Sequence, residues 1–527
     1  NRTNKKSRSQ FIVGENRSQL SIFPVSLNES IEKDNEVRTI DLFIDSINIA
    51  DFGFKMDFIE NGRPAYHPAD LLKLYIYGYL NSIRSSRKLE KECKRNIEVM
   101  WLLKRLVPDH NTISNFRKDN PEAIRKVFES TVTISKHFNL IGKKLTAGDS
   151  TKLRAQNSKK NNYNQKKIDR HLEYIENKLN EYNNELAIAD GDKKDEIKKN
   201  IEKHIARKEK YNKLQQQLQE TNQEQISTSD PESRQMITRN NITEVAYNVQ
   251  TTVDAENCLI IDYKVTNNND SKAMGEMLTR AADILETNDF TALYDKGYHT
   301  GSELKKAQEL GVNTLVAIPA PASNAPDTNY NIANFKYDKE NDTYTCPQQI
   351  TLKSNGNWYT KNRGKHRDEI RVKQYKTKEC KHCPVKTLCT KNKDGRILER
   401  SEYSENIEQN RRNMDANPGL YKRRQAIVEH PYGTIKRQWG FSYIMTKKGM
   451  KRASSDVGLI FVVYNLRRII NILGQDVLKK YLKILALNIL TIVKLISSKI
   501  RHFIFHVILP KFTKNNFFLS FNRLTFD

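Results

Sequence analysis

Three carboxylates fall where chemistry could use them. Asp149 follows Gly148 and precedes Ser150 and Thr151; Asp295 lies in the run Leu293-Tyr294-Asp295-Lys296-Gly297. Glu429 is the one acid in residues 421–440, among Lys422, Arg423, Arg424, Lys436 and Arg437. Both aspartates end runs that read as strands, and Glu429 lies in a stretch with helical spacing of Ile427, Tyr432 and Ile435. Three carboxylates at one sheet edge would repel unless cations neutralised them, and Mg2+ or Mn2+ with hard oxygen ligands does so. Two such ions about 3.5–4 Å apart stabilise the attacking and leaving oxygens of phosphodiester transfer. Lys296 adds a cation, Ser150 and Thr151 add phosphate donors, and Gly297 admits close backbone approach. Singly, an acid at a strand end also serves as a cap, and a lone acid among bases as a salt-bridged surface helix. The case for a site rests on the three together.

A second constellation is made of cysteines. Four of the six, Cys346, Cys380, Cys383 and Cys389, fall in one segment. The Cys380-x2-Cys383 pair has metal-ligand spacing and suggests a distorted zinc ribbon, with His382 as an alternative ligand. Unligated thiols in a polar insert are the other reading. A redox pair fits less well, because no thioredoxin-like βαβ pattern surrounds it.

The elements that must position these groups follow from periodicity. Residues 67–106 alternate apolar and charged residues at helical spacing. Pro108 then breaks the pattern and Asp109 caps a short helix exposing Asn111, Ser114, Asn115, Arg117 and Lys118. Helix, break and helix suggest a helix-turn-helix whose polar tips contact phosphates and bases; an ordinary bundle has the same periodicity. A short strand ends at Gly148-Asp149-Ser150, and a heptad series (Ile168, Leu172, Ile175, Leu179, Tyr182, Leu186) predicts a helical hairpin turning near Gly191. Strands over 244–252 and 258–265, a helix over 271–286, a strand to Asp295, a helix over 301–310 and a strand to Pro319 predict a mixed α/β sheet. Residues 457–473 read as a buried helix.

The chain has 527 residues and a formal net charge of +26, with 37% hydrophobic residues. That length exceeds one ordinary core, and the charge favours a polyanionic partner, with nucleic acid ahead of a membrane surface. Residues 484–493, interrupted by Asn488 and flanked by Lys483 and Lys494, are too short and too charged to span a bilayer. Residues 1–10 are polar and basic, without the apolar run of a signal peptide. The expected location is cytoplasmic, on the nucleoid when bound to DNA.

The ordered pieces HPADLLKLYIYGYLNSIRSSRKLE, PDHNTISNFRK, GDST, DPESRQM, YNVQTTVDAENCLIIDYKVTNNND and YDKGYHT, closed by residues 421–440, resemble a bacterial insertion-sequence transposase of the DDE superfamily over about residues 65–473. The resemblance implies an RNase H-like catalytic core of mixed α/β class with a helical N-terminal domain. It makes Asp149, Asp295 and Glu429 catalytic ligands of Mg2+ (or Mn2+), two ions in all. Tyr421, Arg424, Glu429 and Lys436 are similar to the family's Tyr-Arg-Glu-Lys signature. The Glu-to-Lys interval fits, whereas Arg424 stands one residue out of register.

The expected organisation is a helical DNA-binding domain at 1–142 and a catalytic domain at 143–473, the latter interrupted by a hairpin at 165–222 and a Cys-containing insert at 320–415. A tail of unassigned function covers 474–527. Asn115, Arg117, Lys118, Tyr421, Arg424 and Lys436 are the expected DNA contacts, and Cys346, Cys380, Cys383 and Cys389 the expected Zn2+ ligands. The implied activity is DNA cleavage and strand transfer on terminal inverted repeats and target DNA, by a homodimer or larger assembly. A catalytically inactive DNA-binding relic and a metal-dependent nuclease without strand transfer are the alternatives.

Overall fold

The computed structural model describes residues 26–54, 64–238, 242–320, 325–361 and 369–488. The last residues of the tail, 489–527, and the first 25 lie outside the described residues. Six helices come first: α1 (Glu36–Asp45), α2 (Pro68–Leu80), α3 (Ser86–Arg95), α4 (Ile97–Leu102), α5 (His110–Asp119) and α6 (Pro121–His137). Most starts are chemically marked. Pro68 fills the first position of α2, where its missing N–H is not needed, and the side chains of Asn35, Asn96 and Asp109 cap α1, α4 and α5. Between α4 and α5 the chain turns through Lys104 and Arg105, both at positive φ, and then Pro108.

The core sheet follows: β1 (Leu145–Arg154), β2 (Asn162–Asn164), then α7 (Gln165–Ile188), α8 (Asp192–Glu220), β3 (Gln225–Ser227), β4 (Arg234–Ile237), β5 (Thr243–Asp254) and β6 (Ile260–Thr266). Next come α9 (Met274–Leu285), β7 (Thr291–Tyr294), α10 (Gly301–Glu309) and β8 (Asn313–Val316). β5 lies antiparallel to both β1 and β6, while β1, β7 and β8 run parallel. Spatially the order is β6-β5-β1-β7-β8, with β4 sharing the β6 edge of β5. This is the expected RNase H-like arrangement of a mixed α/β sheet.

Two excursions leave the sheet. The α7–α8 hairpin turns at Gly191 (φ +58°) and packs Ile168 and Ile175 against Tyr211, Leu214 and Leu218 in a core of its own, as the heptad series predicts. The β2–β3 ladder ties its base, a short pairing that periodicity did not reveal. Between β8 and α12 (Ser404–Ala416) an insert folds into a separate six-stranded sheet, with a short helix α11 (Lys386–Cys389).

α13 (Pro418–Tyr432) and a wider π-helical segment Gly433–Gln438 replace the single helix expected over 421–440. Pro431 lies inside α13, and its missing N–H removes one backbone bond just before the widening. Then α14 (Met450–Leu473) is buried along most of its length, against α6 and α2, and a further helix, Gln475–Asn488, follows it. Among the described residues no single helix is long and apolar enough to cross a membrane.

Candidate active site

The parallel register sets Thr146 beside Ala292 and Ala147 beside Leu293. Asp149 lies two residues further along β1 and Asp295 just past the end of β7, near enough for the Asp295 charge to act on Asp149. The glycine before Asp149 is sterically required. A Cβ on Gly148 would stand 2.0 Å from the Tyr294 ring, which packs over it. Asp295 caps the turn after β7, accepting from the Gly297 N–H at 2.8 Å.

The Asp149 carboxylate accepts from the Ser150 N–H at 2.8 Å and faces Arg424 of α13, with Nη2 3.1 Å from Oδ2. Burial raises its pKa to about 6; Arg424 and the Ser150 N–H pull against that rise, while the charges of Asp295 and Asp270 add to it. Burial leaves the Asp149 carboxylate short of solvent and partly offset by Arg424 alone. Two carboxylates with hard oxygens in that condition fit a hard divalent cation.

α13 lies across β1 and β5 through one face. The Tyr421 hydroxyl donates to the Tyr294 carbonyl at 3.2 Å, and the Tyr432 hydroxyl is 2.5 Å from that of Thr251, the β5 partner of Asp149. Lys436, on the π-helical segment, donates to the Lys152 carbonyl at 3.1 Å. Three of the four signature positions therefore meet the sheet beside the aspartates. Glu429, the fourth, is exposed and accepts from Gln425 of its own helix at 2.9 Å. It lies five positions after Arg424, about 7.5 Å along the helix axis. Among the described residues no group of three or more His, Cys, Asp or Glu is gathered to hold an ion as it stands.

The sequence reading missed Asp270. It accepts from Asn248 and Gln250 at 2.7 Å each and from Lys152 at 3.2 Å. Burial would raise its pKa, but Lys152 and hydrogen bonds from Asn248, Ser150 and Gln250 outweigh it and hold the carboxyl low. Only its place at the end of an Asn-Asn-Asn-Asp run after a strand hinted at it.

Arg117 corrects an expectation. At 3% exposure it is a core residue and not a DNA contact: its Nη1 donates to the Tyr79 hydroxyl at 2.9 Å and to the Arg84 carbonyl at 3.1 Å, and lies 3.4 Å from Asp456. Arg84 and Tyr79 also bond the fully buried Asp456 carboxylate. The periodicity of a short helix could not tell which polar side chain faced inward. Asn115 is exposed, and Lys118 donates to it at 2.9 Å.

Two family models match the chain: a transposase domain (DUF772) over residues 25–119 and a transposase DDE domain over residues 345–470. Over those residues the chain is similar to transposases of the DDE type. The DDE match contains Arg424, Glu429 and Lys436, and the other contains the helices up to α5. No curated protein matches this transposase. Among solved structures, a piggyBac transposase synaptic complex with hairpin DNA is similar at 9% identity and a TM-score of 0.28, over 86% of this chain and 79% of that one. A likeness so distant carries no weight for the site.

Proposed function

We propose that this transposase binds the terminal inverted repeats of an insertion sequence as double-stranded DNA and catalyses metal-dependent cleavage and strand transfer. The observation that carries the reading is the proximity of Asp149 in β1 to Asp295 at the end of the neighbouring parallel strand, with Arg424 closing over Asp149. Asp149, Asp295 and Glu429 would hold Mg2+ or Mn2+, two ions, which supply Lewis-acid activation of the nucleophile and charge neutralisation at the leaving oxygen.

The chain's own groups would then do the positioning. Arg424 has a buried Nε that makes no hydrogen bond, a donor left for a phosphate oxygen beside the scissile bond. Tyr421 and Lys436 fix the α13 segment against β7 and β1, so that this donor and the aspartates keep one geometry. In the first step a water oxygen bonds to phosphorus as the P–O3′ bond breaks, which frees a 3′-OH. In the second that 3′-OH oxygen bonds to a target phosphorus and a target 3′ oxygen leaves. No covalent protein intermediate is required. Asn115 and Lys118 on the exposed side of α5 would contact DNA backbone, and holding two ends together implies a homodimer or larger assembly. The expected location is the bacterial cytoplasm.

The test is one assay of donor DNA bearing inverted repeats with Mg2+ and a target plasmid. Joined products support the transposase reading; nicking alone indicates a nuclease, and binding alone an inactive relic. Asp149→Asn, Asp295→Asn and Glu429→Gln should each abolish cleavage and leave DNA binding largely intact. Near-normal cleavage in any one removes that residue from the site.

A further inference from the structure

We propose that Cys346, Cys380, Cys383 and Cys389 bind one zinc ion as thiolates and that this ion staples the insert, independently of the reaction on DNA. The four cysteines come from two separate segments, yet all line a single cavity beside Phe335 and Leu352. His382, the alternative ligand, is exposed and does not line it. Sulfur is therefore the donor set, and four thiolates are the set of a closed structural zinc site.

The surroundings suit thiolates. The Ile350 N–H donates to Cys346 Sγ at 3.4 Å, a bond that strengthens as the sulfur gains charge. A zinc ion with four thiolates carries two net negative charges. Arg396 stands beside the cluster, donating to the Cys389 carbonyl at 3.3 Å while its buried Nε has no partner. Gly395 (φ +100°) lets the chain close over the cluster, since a Cβ there would lie 2.4 Å from that of Cys380.

The second argument is energetic. Among the described residues the insert's apolar core consists of Phe335, Tyr344, Leu352, Tyr375 and Leu398, with Cys346 and Cys389 packed at its margin. A sheet of short strands on so small a core needs a cross-link or a metal. All six cysteines are free thiols, so a disulfide does not supply it. The sulfurs are not gathered to binding geometry as they stand. In such sites, binding the ion and closing the ligand loops are one step.

The full-length chain, purified under reducing conditions, should contain about one zinc per chain by atomic emission, or take up one when offered zinc. Maleimide should label four more thiols after chelator is added, and the thermal transition should fall. Cys380→Ser and Cys389→Ser should each lose most of the zinc, whereas Cys258→Ser keeps it. A chain that neither holds nor takes up zinc, labelling indifferent to chelator, or full zinc in both serine variants would overturn the proposal. The labelling arm uses the wild-type chain, so a variant that misfolds leaves the proposal open to refutation.

Discussion

Arg424 Nη2 stands 3.1 Å from Asp149 Oδ2, a cation from α13 held against a carboxylate in the middle of β1. The pair couples the last segment of the site to the first. Arg424 opposes the burial that raises Asp149, so removing it must raise that carboxyl further above about 6. Arg424→Ala is expected to move the acidic limb of the pH–cleavage profile to higher pH and to slow cleavage at pH 7 at least about tenfold, the equivalent of ~1.4 kcal/mol. Arg424→Lys should restore part of the shift. An unmoved limb would mean that the contact has no bearing on the reacting state.

The same carboxylate burdens the fold. Its native pKa is raised above the unfolded value, so its stabilising contribution is present below about pH 4 and lost as the pH rises through about 6. In chelator, Asp149→Asn should therefore melt higher than wild type at pH 8, by roughly 1–2 kcal/mol at most, since Arg424 loses its ionic partner. The difference should shrink towards pH 4. Melting curves across this range decide it, and a gap that widens on acidification contradicts the assignment.

Asp456 is fully buried between Arg84 and Arg117. Asp456→Ala strands two buried guanidiniums and should cost about 3–5 kcal/mol by denaturant unfolding. Arg117→Ala should likewise lower stability while leaving the salt dependence of DNA binding unchanged. Lys118→Ala, on the solvent side of the same helix, should do the reverse and lower the salt slope by about 1. A steep loss of DNA affinity in a stable Arg117→Ala chain would restore that residue as a contact.

Gly148→Ala puts a methyl group into the Tyr294 ring. Tyr294 is buried and cannot move freely, so a loss of about 1–3 kcal/mol is expected, together with impaired cleavage because Asp149 and Asp295 flank the clash. Gly148→Ala with Tyr294→Leu should recover stability relative to Gly148→Ala alone. Thermal unfolding of both variants tests it.

What could be read in the sequence was what repeats or punctuates. The heptad positions Ile168 and Ile175 do form the hairpin seam, Asp109 does cap its helix, and the strands holding Asp149 and leading to Asp295 lie side by side, although β1 runs on to Arg154 and does not end at Asp149. Direction within a short helix was not legible: Arg117 and Lys118 are neighbours in α5, yet one is buried against Asp456 and the other reaches solvent. Asp270 was hidden for a related reason. Its partners Asn248, Gln250 and Lys152 come from two distant strands, and no local spacing relates them. Arg424, one residue out of register with the signature, still reaches Asp149, because a long side chain on a helix face tolerates a one-residue offset better than a carboxylate does.

The apolar interior runs unbroken from Ile31 and the helices α1–α6, through the sheet, to α14 and Leu482. The Asp456 cluster crosses the middle of that interior, bonding α14 to Tyr79 of α2, to Arg84 beside it and to Arg117 of α5. The helices α1–α6 thus share one interior with the sheet and α14. Exchanging those helices alone between relatives would tear open that interior. Substitutions on the outer faces leave it intact, and the inner faces of both halves have to be inherited together.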